Sequence, residues 1–548
     1  MIYLSFVVAL FTSILLIPLF MRLATPWGFM DVPDARKVHQ SIVPRIGGLA
    51  IAGSAILTLL LIFFDNPQVI VYVLSASIIV LFGAWDDRAN LDYKLKFFGQ
   101  IVAALSVVLL GDVRLEYLPF FGFDTLPFSI SVALSVFFLV AVTNATNLID
   151  GLDGLAGGLT LMTLGAIAVL ENRLDSQAGL CIALCVGGAV LGFLRFNTHP
   201  ASVFMGDSGS QFLGFTTAYL VLNLGHEQQG VVSPMLGLLC IGLPLIDTTT
   251  VFIQRILKKQ SPFRPDRSHL HHQLMNIGLS HVETVVFIYL TQALFLAVAF
   301  MLYLQADIVI ACAYVALALI FVGGLKFLAA KPHYLSQFST NAFGRLWKNI
   351  GQLMYDNIRL ESILPWCIFA LMAVLLGFGL AMHLKWHELL WLSVFMLGLL
   401  LCRQFIKGDL ERSFIKKITM YCLAALIVFA TGTHNQLNTK SAVLVNVSFT
   451  LMLLFLLLGG LVSRGNKFSI NPMDYLVVFL AILIPRAGLL MTPDMNWGEL
   501  VSRMIILFYA VEYMFSTREY MQGALSRGTL IAWCIVLMAA LFKGAIVV

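Results

Sequence analysis

The residues best suited to chemistry lie in one segment, 144–158, which reads N-A-T-N-L-I-D-G-L-D-G-L-A-G-G. It ends an apolar run that begins near Phe128, so polar side chains occur where a bilayer-spanning helix leaves the lipid, which is costly unless they bind a ligand. The polar side chains are three residues apart, on adjoining helical positions, and are Asn144, Asn147, Asp150 and Asp153. They indicate a site for a cation and phosphate, although a capping turn between helices favours the same residue types.

Two adjacent carboxylates, Asp86 and Asp87, end another apolar run. Neighbouring carboxylates repel each other, and a divalent cation relieves this repulsion in phosphoryl-transfer sites. Lys94 and Lys96 follow and could offset part of the charge or contact phosphate. The alternative is a helix end with solvated charges.

A third acidic position, Asp207, lies between glycines just ahead of an apolar run. Its carboxylate would lie beside the free backbone N–H groups of a helix N-terminus, an arrangement that suits phosphate, with Asp207 holding a bridging cation. A capping turn is the alternative, and Pro200 and Ser208 favour it locally.

The loop 31–48 offers cations close to the membrane plane, namely Lys37, His39 and Arg45 beside Arg36. These residues could bind substrate phosphate or hold lipid headgroups without specificity.

A second basic loop, 261–273, contains Arg267 and three histidines, His269, His271 and His272. No cysteine accompanies them in a zinc-binding pattern, so contact with phosphate or nucleotide is favoured over zinc, with an ordinary hydrated loop as the alternative. Asp247 lies within the preceding apolar run and is a functional candidate because a charge there is costly.

The composition defines the elements that position these residues. Of the 548 residues, 59% are hydrophobic and 11% are charged, which indicates an all-α, polytopic membrane protein. The first apolar run, 1–20, lacks a basic start and a small-residue cleavage site, so it is expected to be a retained helix.

Eleven helices are predicted in the first part of the chain, over residues 1–21, 46–64, 69–85, 97–111, 128–147, 154–171, 177–194, 209–224, 233–256, 283–304 and 306–329. Almost all basic loop residues follow odd-numbered helices, which predicts an external N-terminus and places every polar motif at the cytoplasmic face.

Three regions are expected: a core at 1–330, a basic connector at 331–362, and an extension at 363–548 of six or seven further transmembrane helices. The extension's apolar runs lie near 364–383, 387–402, 417–433, 442–462, 474–491, 502–516 and 528–547. It carries Arg486 and Glu512 at membrane depth, which could pair across helices or mark a second path. The alternative places both near helix ends, where they snorkel to the interface.

The positions of the cysteines and the distribution of charge argue against disulfides, zinc sites and nucleic-acid binding. All eight cysteines lie in apolar runs without a C-x-x-C pair, which argues against disulfides and zinc ligands. The net charge of +5 is scattered, and no aromatic-basic pattern indicates nucleic acid.

Four collinear motifs resemble those of the polyprenyl-phosphate N-acetylhexosamine-1-phosphate transferases, glycosyltransferase family 4. They are D-D-R, N-A-T-N-L-I-D-G-L-D-G-L, F-M-G-D-S-G-S and P-F-R-P-D-R-S-H-L-H-H. The resemblance covers about residues 1–330, and the H-L-H-H form is closer to the branch that uses UDP-N-acetylglucosamine than to the muramoyl-pentapeptide branch.

The resemblance implies transfer of N-acetylhexosamine 1-phosphate from a UDP-sugar to undecaprenyl phosphate, with release of UMP, at the cytoplasmic side of a bacterial inner membrane. The product would initiate a lipid-linked cell-envelope glycan such as cell-wall polymer or lipopolysaccharide. The implied cofactor is Mg²⁺, with Mn²⁺ as an alternative, and the oligomeric state is left open, with a homodimer as one candidate.

The resemblance also implies roles for individual residues. The metal and phosphate site falls on Asp86, Asp87, Asn147, Asp150 and Asp207, the family lysine on Lys94, and the histidine motif on His269, His271 and His272. This chain has Asn90 where family members often have a third acid of the first motif, which argues against a general ligand role there.

A membrane transporter, such as a flippase of lipid-linked sugars, is the rival from another class. Transporter sites lie near the bilayer midplane between repeats, whereas these motifs are predicted at one membrane face. That placement favours the enzyme, and a related transferase for a different UDP-sugar remains an alternative.

Overall fold

The computed structural model describes residues 2–31, 42–117, 125–174, 176–227, 233–259, 269–330, 358–381, 386–402, 409–432, 439–462, 491–492, 495–516 and 519–547. Nine helices within these ranges are long and apolar enough to cross a membrane. The prediction of an all-α, polytopic membrane protein is confirmed. The described residues form two compact units, one ending at Ala330 and the other beginning at Ile358.

Thirteen described helices and a short strand pair make up the first unit. The helices are α1 (Ile2–Trp27), α2 (Gly47–Phe63), α3 (Pro67–Ala89), α4 (Tyr93–Leu110), α5 (Phe128–Ile149), α6 (Leu155–Arg173), α7 (Gln177–Asn197), α8 (Gly206–Glu227), α9 (Leu236–Cys240), α10 (Gly242–Leu257), α11 (Leu270–Asn276), α12 (His281–Leu302) and α13 (Asp307–Ala330). Strands β1 (Met30–Asp31) and β2 (Val43–Pro44) pair antiparallel.

Helices α6 and α7 form the centre of this unit, with about nine-tenths of their apolar spans buried. They are surrounded by α1, α2, α8 and α12. Small residues permit this density: a Cβ added at Gly192 of α7 would lie 2.7 Å from the carbonyl oxygen of Leu10 in α1. Close backbone contact through small residues is the usual way for helices to pack in lipid.

The predicted helix over 233–256 is wrong in one respect, because it breaks at Ile241 into α9 and α10. Pro244 lacks an N–H group and so cannot bond to the carbonyl oxygen of Cys240, four residues earlier. That oxygen instead accepts hydrogen bonds from Thr163 Oγ1 (3.1 Å) and Gln292 Nε2 (2.8 Å). The break is therefore held by side chains of α6 and α12.

The second unit contains α14 (Ile358–Ala381), α15 (Trp386–Cys402), α16 (Asp409–Gly432), α17 (Thr439–Val462), α18 (Trp497–Ser516) and α19 (Glu519–Val547). Strands β3 (Met491–Thr492) and β4 (Met495–Asn496) pair antiparallel. The apolar run predicted near 474–491 and Arg486 lie outside the described residues, apart from Met491 at its end.

Polar side chains inside the second unit are paired across helices. Tyr421 of α16 donates a hydrogen bond to Glu512 of α18 at 2.5 Å. Arg503, which is buried, donates to the Thr431 carbonyl (2.7 Å) and to Asn446 Oδ1 (2.9 Å). For Glu512 the structure therefore shows pairing across helices, here with a tyrosine.

Candidate functional site

The first unit contains a cavity of about 610 Å³ where α5 ends and α8 begins. Predicted site residues from four separate segments line it: Arg45, Asn147, Asp150, Asp207, His271 and His272. Segments that are distant in sequence therefore converge on one chamber, as the cation and phosphate prediction requires.

Asp87 closes the N-terminus of α8. Its Oδ1 accepts a hydrogen bond from the backbone N–H of Asp207 (2.7 Å), and its Oδ2 accepts one from that of Ser208 (2.9 Å). The expectation that these N–H groups are free for phosphate is wrong, because a carboxylate from α3 already occupies them. Asp207 itself lies in the first turn of α8 rather than ahead of it.

This joint between α3 and α8 depends on glycine. Gly206 has a φ of +73°, and a Cβ there would lie 2.6 Å from the Asp87 carboxylate. A Cβ at Gly83 of α3 would lie 2.5 Å from the Cα of Ser208. Only residues without a side chain allow the two helix ends to approach this closely.

Lys96 stands between two carboxylates. Its Nζ donates to Asp207 Oδ2 at 3.0 Å and also contacts Asp86 Oδ2. The other oxygen of Asp86 accepts from the backbone N–H of Leu91 at 2.7 Å. Among the described residues, Asp86 and Asp87 do not line the cavity, so Asp150 and Asp207 are the acids of the predicted metal set that do.

The structure brings Lys96, rather than the predicted Lys94, to the acidic cluster. Helix α4 begins at Tyr93, so both lysines are helical. Lys94 and Lys96 are two positions apart, which corresponds to about 200° of rotation around an α-helix. Lys94 therefore points away from the acidic cluster, and its side chain is exposed. Gln100, one turn after Lys96, is buried on the same face and could have identified that face from the sequence.

We expect Lys96→Met to destabilise the protein and Lys94→Met to leave its stability unchanged. Removing Lys96 leaves Asp86 and Asp207 without their counter-ion. Because Lys96 is only half-buried, the cost should fall between the ~1 kcal/mol of a surface pair and the ~3–5 kcal/mol of a fully buried one. Thermal unfolding of both variants in the same detergent measures the difference, and equal melting temperatures would contradict the assignment.

The two predicted asparagines have different surroundings. Asn147 lines the cavity, and its Oδ1 accepts a hydrogen bond from Ser210 Oγ at 2.6 Å. Asn144 lies a turn deeper, where its amide donates to Gln100 Oε1 (2.7 Å) and to the carbonyl of Val140 (2.8 Å). Asn144 therefore links α5 to α4, and only Asn147 faces the chamber.

Asp150 is an acid of the cavity wall with a raised pKa. It follows the last residue of α5, and burial together with the negative charge of Asp207 raises its pKa to about 7. The described side chains therefore leave negative charge here incompletely compensated.

The histidine motif is anchored by Asp247, a buried acid of α10. Its Oδ2 accepts a hydrogen bond from His269 Nδ1 (2.9 Å), and its Oδ1 accepts one from the backbone N–H of Leu270 (2.7 Å). This caps α11 from α10. His269 occupies the N-cap of α11.

His271 is a neutral imidazole packed on the glycine of the central motif. A Cβ at Gly151 would collide with its ring, so this glycine makes room for it. Burial, with His272 and His269 nearby, lowers the pKa of His271 to about 3. Its Nδ1 is buried and has no hydrogen-bond partner among the described residues. His271 can thus hydrogen-bond to a ligand but carries no charge in this state.

The basic loops are described in part. Arg45 lines the cavity, pairs with Asp31 (3.6 Å), and forms a bridge to Phe204 next to α8. Lys37, His39 and Arg267, which were predicted to bind substrate, lie outside the described residues.

The cavity wall contains a polar cluster that sequence reasoning missed. His199 Nδ1 donates to Asp153 Oδ2 at 2.8 Å, and the ring of His199 stacks on that of His281. Asp153 was noted as part of the central motif, but no spacing in the sequence links it to the two histidines.

Mg²⁺ fits the donor chemistry of the chamber. It prefers oxygen ligands, and the carboxylates of Asp150 and Asp207 and the amide of Asn147 all line the cavity. Burial is the main cause of the raised pKa of Asp150 and the charge of Asp207 the next, and a nearby cation would oppose both by favouring the ionised carboxylate. These three residues are the ones that would hold the ion.

Comparison with known proteins gives a consistent result. The profile of glycosyl transferase family 4 matches residues 69–225, a range that includes α3 to α8 with the acidic cluster and the central motif. A Bacillus subtilis (strain 168) protein described as a probable undecaprenyl-phosphate N-acetylglucosaminyl 1-phosphate transferase is 38% identical over 295 residues, which is 53% of this chain and 82% of that protein.

Two enterobacterial proteins are also similar to this chain over about half of its length. The undecaprenyl-phosphate alpha-N-acetylglucosaminyl 1-phosphate transferase of Escherichia coli O157:H7 is 31% identical over 280 residues, 50% of this chain and 76% of that protein. The protein of that description from Salmonella typhi is 31% identical over 294 residues, 52% of this chain and 79% of that protein.

Proposed function

This chain belongs to glycosyl transferase family 4, as its motifs predict, and we propose that it transfers N-acetylglucosamine 1-phosphate to undecaprenyl phosphate. The relatives from three bacteria carry this activity in their descriptions. The single observation that supports it most directly is the convergence of Asp150, Asp207, Arg45 and His271 on one cavity.

The proposed donor is a UDP-sugar, UDP-N-acetylglucosamine. An oxygen of the lipid phosphate attacks the phosphorus that carries the sugar, and a new phosphorus–oxygen bond forms. The anhydride bond to the nucleotide breaks, and UMP leaves with the bonding electron pair. Because the lipid phosphate is already anionic at neutral pH, the reaction needs charge neutralisation and positioning more than a general base.

The chain's own groups suit these tasks. Arg45 presents a guanidinium to the cavity, where it can hold a phosphate oxygen. Lys96 orients the Asp207 carboxylate by donating a hydrogen bond to its Oδ2. His271 lines the cavity as a neutral imidazole and so adds no positive charge there. Mg²⁺, bound by Asp150, Asp207 and Asn147, would supply stabilisation of the charge on the diphosphate oxygens.

We place the reaction at the cytoplasmic face of a bacterial inner membrane, where it would begin a lipid-linked cell-envelope glycan. Supporting this orientation, Arg45, Arg88 and Lys96 lie at the same helix ends as the cavity, and cytoplasmic loops carry an excess of lysine and arginine.

Product analysis with purified protein tests the proposal. Given undecaprenyl phosphate and several UDP-sugars, we expect UMP and a lipid-diphosphate-sugar, with UDP-N-acetylglucosamine the preferred donor. EDTA should stop the reaction, and excess UMP should reverse it because one phosphoanhydride replaces another. Release of UDP, with the sugar joined to lipid through a single phosphate, would instead identify a glycosyltransferase that attacks the sugar carbon.

A further inference from the structure

Three side chains on the cavity wall come from three separate segments and have no part in the transfer chemistry above. Asp153 precedes α6, His199 lies between α7 and α8, and His281 is the first residue of α12. Each offers one ligand atom, and these atoms all lie within 4.8 Å of one another. Carboxylate and imidazole groups gathered in this way can form a metal site.

Asp153 and His199 are already in contact. The carboxylate accepts from His199 Nδ1 (2.8 Å) and from the backbone N–H of Ala201 (3.1 Å). The backbone bond fixes the carboxylate relative to the α7–α8 loop. A metal ion that binds His199 Nδ1 replaces the proton between this nitrogen and the carboxylate, and the proton is released to solvent.

His281 gives the independent observation. Its Nδ1 is buried and has no hydrogen-bond partner among the described residues. Its ring stacks on His199, with centroids 4.1 Å apart and planes inclined by 23°. Two imidazoles in contact repel each other when both are protonated, so at least one is neutral, which is the form that binds metal.

We propose that Asp153, His199 and His281 bind a divalent transition-metal ion of the Zn²⁺ class. Imidazole suits zinc, cobalt and nickel, whereas Mg²⁺ prefers an all-oxygen set. The site is therefore chemically distinct from that of Asp150 and Asp207. Three protein ligands leave a coordination position for an oxygen from the cavity.

Binding requires only a local adjustment. Zinc–ligand bonds of about 2.0–2.2 Å place tetrahedral ligand atoms roughly 3.3–3.6 Å apart, so movement of the ring nitrogens by about an ångström closes the site. The ion would tie the segments before α6, before α8 and at the start of α12 to one another. This inference rests on the three side chains and does not depend on the proposed transfer reaction.

Metal binding by the purified full-length chain tests the site. After chelator treatment, the protein is titrated with Co²⁺ or Zn²⁺ in excess Mg²⁺, which fills oxygen sites. We expect one ion per chain, visible absorption from Co²⁺–imidazole coordination, and a rise in melting temperature with Zn²⁺. His199→Gln and His281→Gln should each weaken binding by at least about tenfold.

His272→Gln is the matched control, because it makes the same chemical change at another histidine of the same cavity. It should retain the Co²⁺ spectrum. The assignment is overturned if the spectrum is lost in His272→Gln but kept in His281→Gln, or if His281→Gln binds with wild-type affinity. Since a variant could misfold, unmodified protein provides the second criterion: no Zn²⁺-dependent rise in melting temperature would also refute the site.

Discussion

Asp207→Asn should reduce transfer by at least about 10²–10³-fold at saturating Mg²⁺ while leaving the fold intact. The amide keeps the size of the side chain, and the bond from the Asp207 N–H to Asp87 is a backbone bond that the change preserves. What is lost is a carboxylate facing the cavity beside Lys96. The rate of lipid-diphosphate-sugar formation and the melting temperature, measured on the same sample, separate these effects.

Asp112→Asn provides the control for the same chemical change. Asp112 is an exposed carboxylate paired with Arg114, after the C-terminal end of α4 and away from the cavity. It should behave like wild type in both measurements. A variant at Asp207 that kept most of its turnover would show that its charge is dispensable.

Asp150→Asn should make the protein inactive and, without metal, more stable at alkaline pH. The carboxyl pKa rises from 3.8 to about 7 on folding, so the folded state binds the proton more tightly than the unfolded state. The ionised carboxylate therefore destabilises the folded state: the effect is absent below pH 3.8, grows as the pH rises, and is complete above about pH 7. Asparagine cannot ionise, so the variant lacks this destabilisation.

Melting temperatures in EDTA across this pH range measure the effect. The melting temperature of Asp150→Asn should exceed that of wild type most above about pH 7, and the difference should vanish near pH 3.8. Adding Mg²⁺ at alkaline pH should stabilise wild type more than the variant, since only wild type keeps the carboxylate. A gain that did not change with pH would point to altered packing instead of a buried charge.

Helix positions were largely predictable because hydropathy identifies segments long and apolar enough to cross a bilayer, whether they face lipid or, like α6 and α7, other helices. The exception, the break between α9 and α10, depends on partners distant in sequence. Pro244 indicates a weak point, but the free Cys240 carbonyl is stabilised only because Thr163 and Gln292 reach it. Local sequence does not contain that information.

The same limit applies within the site. The acidic and histidine segments were recognisable from residue type, whereas the choice between Lys94 and Lys96 required the start and rotation of α4. Asp153 and His199 are 46 residues apart and meet only in the folded chain. Residue chemistry thus identified the candidates, and the three-dimensional arrangement decided which ones share a chamber.

The hydrogen bonds from the N-terminus of α8 to Asp87 join two segments that are synthesised at different times. Asp87 and Asp207, which one of these bonds joins, are 120 positions apart. At about 5–20 residues per second, a ribosome makes that stretch in roughly 6–24 seconds. During this interval Asp87 is already part of the chain, but the backbone N–H groups of Asp207 and Ser208 that it binds are not. The joint between α3 and α8 can therefore form only after both segments have been made.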